Sequence, residues 1–138
     1  MSQALDTLVR WYETLSPASL EKIADHYVED AYFRDPFNEV GERTAIHRIM
    51  ADMFEKLDNP HFIVDDRLAQ GDAGFITWRF VFAIRHKPMQ IHGSTHLRFG
   101  PDGRVTFHRD YWDAAGELYE QLPVLGWLMR RLKSRFAA

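Results

Sequence analysis

The sequence predicts an α+β domain: three N-terminal helices packed on a strongly curved antiparallel sheet, with a helix at the C-terminal end. Three observations predict it. Apolar residues recur at helical spacing up to residue 57 and then switch to alternation between 61 and 113. The links inside the alternating region are short and rich in turn residues, which join antiparallel neighbours. The main helical segments come first and the long strands follow, instead of alternating. The chain of 138 residues is read as one domain, with helices over 1–57, sheet over 61–113 and a helical tail over 114–136.

Residues 3–15 place Leu5, Leu8, Val9, Tyr12 and Leu15 on one helical face. Ser16-Pro17 then starts a second helix. Ser16 caps it, and Pro17 occupies its first turn, where a missing N–H costs nothing. Leu20, Ile23, Ala24 and Tyr27 mark its buried side. Residues 30–35 read as a short strand stopped by Pro36. A third helix runs from Glu42 to Leu57 on the stripe Ile46, Ile49, Met50, Met53 and Leu57, and Asn59-Pro60 ends it. Strands follow at 61–70, 74–86, 89–99 and 104–113. Their links are Gly71-Asp72-Ala73-Gly74, His86-Lys87-Pro88 and Gly100-Pro101-Asp102-Gly103. The tail carries Leu125, Leu128, Met129, Leu132 and Phe136 on one face, bordered by Arg130, Arg131, Lys133 and Arg135. It reads as a helix packed on its own domain or on a second subunit rather than on a membrane surface.

Composition excludes several functions. A net charge of -3 argues against a general nucleic-acid binder, which needs a basic face. The absence of cysteine removes disulfides, thiolate nucleophiles and thiolate metal sites, and fits a reducing cytoplasm. The first residues lack the basic-then-apolar pattern of a secretion signal, and no apolar run is long enough for a membrane span. Cytoplasmic location is therefore expected. An aromatic content of 14% suits both an ordinary core and the walls of an apolar cavity.

Alternation sorts the strand residues by face. Ile76, Trp78, Phe80, Phe82 and Ile84 form one uniformly apolar face, which must point inward. In the last strand both faces mix polar and apolar groups: Thr106, His108, Asp110 and Trp112 against Val105, Phe107, Arg109 and Tyr111. Periodicity alone leaves the inner face open there. If His108 and Asp110 point inward, each needs a partner, because an unpaired buried polar group costs about 1–3 kcal/mol. His92 and His96 are too far apart on a strand to share one ion, so no metal site is expected.

The stretch from Val9 to Phe37, ending in YVEDAYFRDPF, resembles the opening of the nuclear transport factor 2-like superfamily. The likeness is strongest to ketosteroid isomerases and SnoaL-like polyketide cyclases. Residues 97–112, LRFGPDGRVTFHRDYW, resemble the final hairpin of the same fold. The resemblance implies a cone-shaped α+β barrel with its cavity between helices and sheet, and a homodimer formed through the sheet. It matches Asp35 to the aspartate that serves these isomerases as general base. It sets Trp11 and Thr95 where they carry the two oxyanion donors, Tyr27 on a supporting tyrosine, and His108, Asp110 and Trp112 on the pocket side, facing Thr95 and Leu97. Both oxyanion donors are thus replaced, which argues against a steroid isomerase.

The resemblance and the residue types together suggest a small-molecule pocket with Asp35, His108 and Asp110 as catalytic candidates. Trp11, Tyr27, Trp78, Phe80, Thr95, Leu97 and Trp112 are the expected lining. The ligand is expected to be a small apolar molecule with a carbonyl or hydroxyl group. Asp35 and His108, the latter oriented by Asp110, would move a proton in an isomerisation, dehydration or cyclisation that needs no cofactor. The other reading is a non-catalytic binding or accessory module of the same fold.

Overall fold

Ser2 opens the first helix, α1 (Gln3–Glu13), by accepting the Leu5 amide on its side-chain oxygen at 3.0 Å. The computed structural model describes residues 2–117 together with Arg131, Ser134 and Arg135. The expected apolar stripe of the tail, from Leu125 to Phe136, lies outside the described residues. One side of α1 buries Leu5, Leu8, Val9, Trp11 and Tyr12.

The second helix is shorter than its apolar spacing suggests. α2 spans only Pro17–Leu20, held by a reciprocal capping box between Ser16 and Ser19, and a 3-10 turn at Ile23–Asp25 follows. The stripe persists through that turn because an i, i+3 repeat is shared by both helix types. Tyr27 therefore does not belong to a helix; it begins the first strand, β1 (Tyr27–Arg34). A two-residue strand that the sequence did not suggest, β2 (Glu39–Val40), folds back on β1. Next come α3 (Arg43–Lys56), β3 (Asp58–Gln70), β4 (Ala73–Ile84), β5 (Lys87–Phe99), β6 (Val105–Tyr111) and the short α4 (Ala114–Glu117).

The six strands form one sheet in the order β2-β1-β6-β5-β4-β3. It is mixed, not purely antiparallel, because β1 lies parallel to β6. The reason is topological. Short links fix the later hairpins, but β1 comes before α3, and no local signal says beside which strand it docks. With β2 and β3 at opposite edges the sheet is also open, not a closed barrel.

On β4, Ile76, Trp78, Phe80 and Phe82 are buried as the alternation requires, while Ile84 at the strand end is exposed. The register of β3 slips between Val64 and Asp66, so that consecutive aspartates both reach solvent. Asp65 pairs with Arg79 through bonds of 2.9–3.2 Å, and Asp66 accepts from the Thr77 hydroxyl at 3.0 Å. Of the α3 stripe only Ile46 and Met50 are fully buried. Ile49, Met53 and Leu57 stay half-buried because they face a cavity rather than packed side chains. No helix among the described residues is long and apolar enough to cross a membrane.

Candidate functional site

The cavity between α1, α3 and the inner sheet face has a volume of about 470 Å³. Its walls are mostly apolar, with the α3 stripe on one side and Trp78, Phe80 and Phe82 of β4 on the other. Phe62, Trp78 and Phe80 form a continuous aromatic wall, with the Phe62 ring centroid 4.6 Å from Phe80 and 5.6 Å from Trp78. Trp78 can lie this flat because its cross-strand partner is Gly93, and a Cβ there would come within 2.5 Å of the indole Cζ2.

One polar chain crosses this apolar setting. The Trp78 indole N–H donates to Thr95 Oγ1 at 2.8 Å, and the Thr95 hydroxyl donates to Asp110 Oδ1 at 2.6 Å. His108 Nε2 lies 2.7 Å from the same Oδ1. On its other side, His108 Nδ1 is 2.7 Å from the Tyr27 hydroxyl and 3.2 Å from that of Tyr12, and the two hydroxyls bond to each other. If the imidazole is neutral with its proton on Nε2, each of the shorter bonds finds one donor, and the 3.2 Å contact between Tyr12 and Nδ1 is left without a proton. Tyr12 then donates to Tyr27, Tyr27 to Nδ1, and Nε2–H to Asp110, an assignment made from the network. Burial first, then the bonded Tyr27 hydroxyl, pushes the Tyr12 phenol well above its ordinary value of 10.0. Burial likewise raises Tyr27. Both therefore remain protonated donors.

The chain fixes Asp110 Oδ1 completely, and nothing among the described residues bonds Oδ2. The Asp110 side chain is 19% exposed and lines the cavity, while that of His108 is 5% exposed with both nitrogens engaged.

Asp35 also lines the cavity but serves its own turn. Its Oδ1 accepts the Phe37 and Asn38 amides at 2.8 and 2.7 Å, and the Asn38 side chain reaches both carboxylate oxygens at 3.2 and 3.3 Å. This cap closes the link from β1 to β2, the ordinary work of an aspartate before a turn.

Of the lining expected from sequence, Trp78, Phe80, Thr95 and Trp112 face the cavity. Trp11 does not: its ring stacks on His26 at 4.5 Å and its N–H donates to the Ser19 carbonyl at 3.0 Å. The neighbouring position on α1, Tyr12, faces the cavity instead. Leu97 is core, paired across the sheet with His108, and Tyr27 is fully buried behind the wall, touching the site through its hydroxyl. Sequence reasoning assigned Tyr12 to the core stripe. The available signal was a hydroxyl on that stripe, since a buried tyrosine O–H needs a partner. No group of three or more candidate metal ligands occurs among the described residues.

The fold and this cavity define the class: an α+β domain whose helices close over the inner face of a mixed sheet. The chain belongs to the SnoaL-like domain family, which matches residues 8–108. No curated protein matches it. Solved structures share the fold at low identity. A candidate SnoaL-like polyketide cyclase from Jannaschia sp. CCS1 superposes with a TM-score of 0.73 at 14% identity, covering 83% of this chain and 88% of its own. An epoxide hydrolase of M. tuberculosis, like the LEH enzymes, gives 0.72 at 14% identity over 94% and 96%. A protein of ketosteroid isomerase-like fold from Catenulispora acidiphila, in complex with trimethylamine, gives 0.70 at 17% identity over 86% and 92%.

Proposed function

We propose that the cavity carries out a cofactor-independent proton transfer on a small, mainly apolar molecule bearing a carbonyl or hydroxyl group, in an isomerisation, dehydration or cyclisation. The proton acceptor in this reading is Asp110. Its free Oδ2 in an aromatic cavity is the observation that carries the proposal. Asp35 is the weaker candidate, because two backbone amides already hold its Oδ1. His108 is a positioning residue: with no free nitrogen it cannot meet a substrate directly, but it orients Asp110 and connects it to two phenols. The spread of chemistry among the fold's relatives supports a reaction set by the site rather than by the fold.

The test follows deuterium uptake at the methylene of neopentyl phenyl ketone in heavy water, read by proton NMR. The wild-type protein should accelerate uptake over buffer, Asp110→Asn should lower the acceleration by about 100-fold or more, and Asp35→Asn should keep most of it. Equal uptake with wild type and Asp110→Asn would discard the proton-transfer reading. The engaged His108 nitrogens and the capped Asp35 then favour the second reading, a module that only holds its ligand.

We also infer that the outer sheet face pairs with a second copy of the chain. Leu68, Phe75 and Tyr111 are 70%, 40% and 45% exposed on that side, and the Tyr32 and Phe107 rings stack there at 5.2 Å. Sedimentation should give a dimer that Phe75→Glu dissociates; a monomeric wild type at high micromolar concentration would refute this.

A further inference from the structure

Three carboxylates line the cavity, Asp35, Asp52 and Asp110, and among the described residues that line it Lys56 carries the one ammonium or guanidinium group, while Arg34 and Arg109 line a second, more open cavity that shares Asp35, Asp110 and Trp112. Lys56 lies 3.5 Å from Asp52, one helical turn away on α3, so that pair is locally neutral. The Asp35 charge is spread over its own turn. Asp110 is left as the carboxylate that no lysine or arginine among the described residues pairs with, with an imidazole and a hydroxyl on one oxygen and no bond on the other. The surfaces that complete its surroundings are aromatic: Trp78, bonded through Thr95 to the carboxylate, and Trp112, two residues further along and packed edge-on against Phe37 at 5.6 Å.

A carboxylate with one free oxygen in a cavity lined by aromatic rings has a definite complement. The face of an indole carries negative charge density, as does the carboxylate, so both attract a cation and both repel an anion. An ammonium group carrying three or four alkyl substituents is only weakly hydrated, which suits a cavity too apolar to reward a strongly hydrated ion. We propose that the ligand of this cavity is an organic cation, a molecule carrying an alkylammonium or related cationic nitrogen within its apolar body.

This rests on the proposed proton transfer only in the placement of Asp110, and it makes that step easier to understand. Removing a proton from carbon beside a carbonyl leaves an oxyanion, and neither familiar donor for one stands at the expected positions, where Trp11 is turned away and Thr95 donates to Asp110. A nearby cationic nitrogen on the substrate would supply the missing positive charge. The C–H bond breaks, its electrons pass into the enolate, and the proton goes to Asp110 Oδ2. The substrate changes from cation to neutral zwitterion, and no charge is created without an opposite one close by.

The experiment compares two isosteres: phenacyltrimethylammonium and neopentyl phenyl ketone, which differ only in nitrogen for carbon. Affinities come from chemical-shift titration of the protein and from the ligands' nine-proton methyl signals. The wild type should bind the cation at least ~10-fold more tightly. Asp110→Asn should remove most of that preference while still binding the neutral ketone, which shows that the cavity survives. Trp112→Leu, at a half-buried position, should reduce the preference in part. Equal or better binding of the neutral ketone by the wild type overturns the proposal, as does an unchanged preference in Asp110→Asn or no binding of either compound. Deuterium uptake is scored separately: a cation preference without exchange leaves this inference standing and removes the proton transfer, while exchange without preference does the reverse.

Discussion

At the scale of single residues, the site depends on what a few positions leave out. Gly93 has no side chain, and that gap is filled by the six-membered ring of Trp78: an added Cβ would lie 2.5 Å from Cζ2 and 2.9 Å from Cζ3, with Cη2 also in the way. The obstacle is a rigid ring already bonded through its N–H to Thr95, so it cannot yield by a small torsion. Gly93→Ala should therefore displace the indole, break its bond to Thr95 and destabilise the protein by about 1–3 kcal/mol. Urea unfolding measures the loss, and a red-shifted tryptophan emission would report the moved ring. Gly41→Ala is the control, since nothing lies within 4 Å of a Cβ there; equal stability of the two variants would show that Trp78 is not held against Gly93. Residue-scale logic also explains why Asp110, and not His108, is the reactive candidate. A histidine with both nitrogens engaged is a spacer, whereas a carboxylate with one free oxygen is an unfinished hydrogen-bond group.

At the scale of elements, the parts set by local periodicity were readable and the parts set by long-range docking were not. The stripes of α1 and α3 and the hairpins from β3 to β6 follow from spacing and turns, and their positions agree with the structure to within a few residues. The place of β1 did not follow, since its parallel partner lies more than seventy residues away in the register Phe33↔His108. The same register puts the Phe33 ring 4.6 Å from the His108 ring, so an unreadable pairing builds part of the site wall. The turn between β4 and β5 shows the opposite case. Proline suggested that the turn lay at His86-Lys87-Pro88, but Arg85 and His86 take the left-handed conformation, with φ of 50° and 67°, and Pro88 pairs with Ala83 inside the strand. Within the site, the two-residue spacing of His108 and Asp110 predicted a shared face, which the structure has. The choice between Trp11 and Tyr12 was lost because neighbouring helix positions differ by about 100° around the axis, and both are buried. Only the packing of α1 against the sheet decides which of them meets the cavity.

At the scale of the whole molecule, the titrating groups bracket stability from both sides. On the alkaline side stand Tyr12 and Tyr27, whose phenols are raised above 10.0 chiefly by burial. Above pH 10 the unfolded chain loses these protons while the folded chain keeps them. The folded state then holds more protons, and stability must fall as pH rises. Each phenol contributes a slope of about 1.4 kcal/mol per pH unit until the folded state titrates too. On the acid side stands His26, lowered from 6.5 chiefly by desolvation where it stacks on Trp11. Below pH 6.5 the unfolded chain takes up this proton and the folded chain resists it, so stability declines as pH falls and levels off once the folded imidazole is also protonated. Still lower, below 3.8, Asp65 and Asp102 act in the same direction, because hydrogen bonds from Arg79 and Arg104 hold their carboxyls below the usual range. Chemical denaturation across pH should therefore show a plateau between about 7 and 10. The alkaline limb should be steep and should lose about half its slope in Tyr12→Phe, because one of two buried phenols is gone. An alkaline limb as shallow as that expected from exposed tyrosines would mean that the two phenols ionise freely, and the donor chain leading to His108 and Asp110 would have to be redrawn.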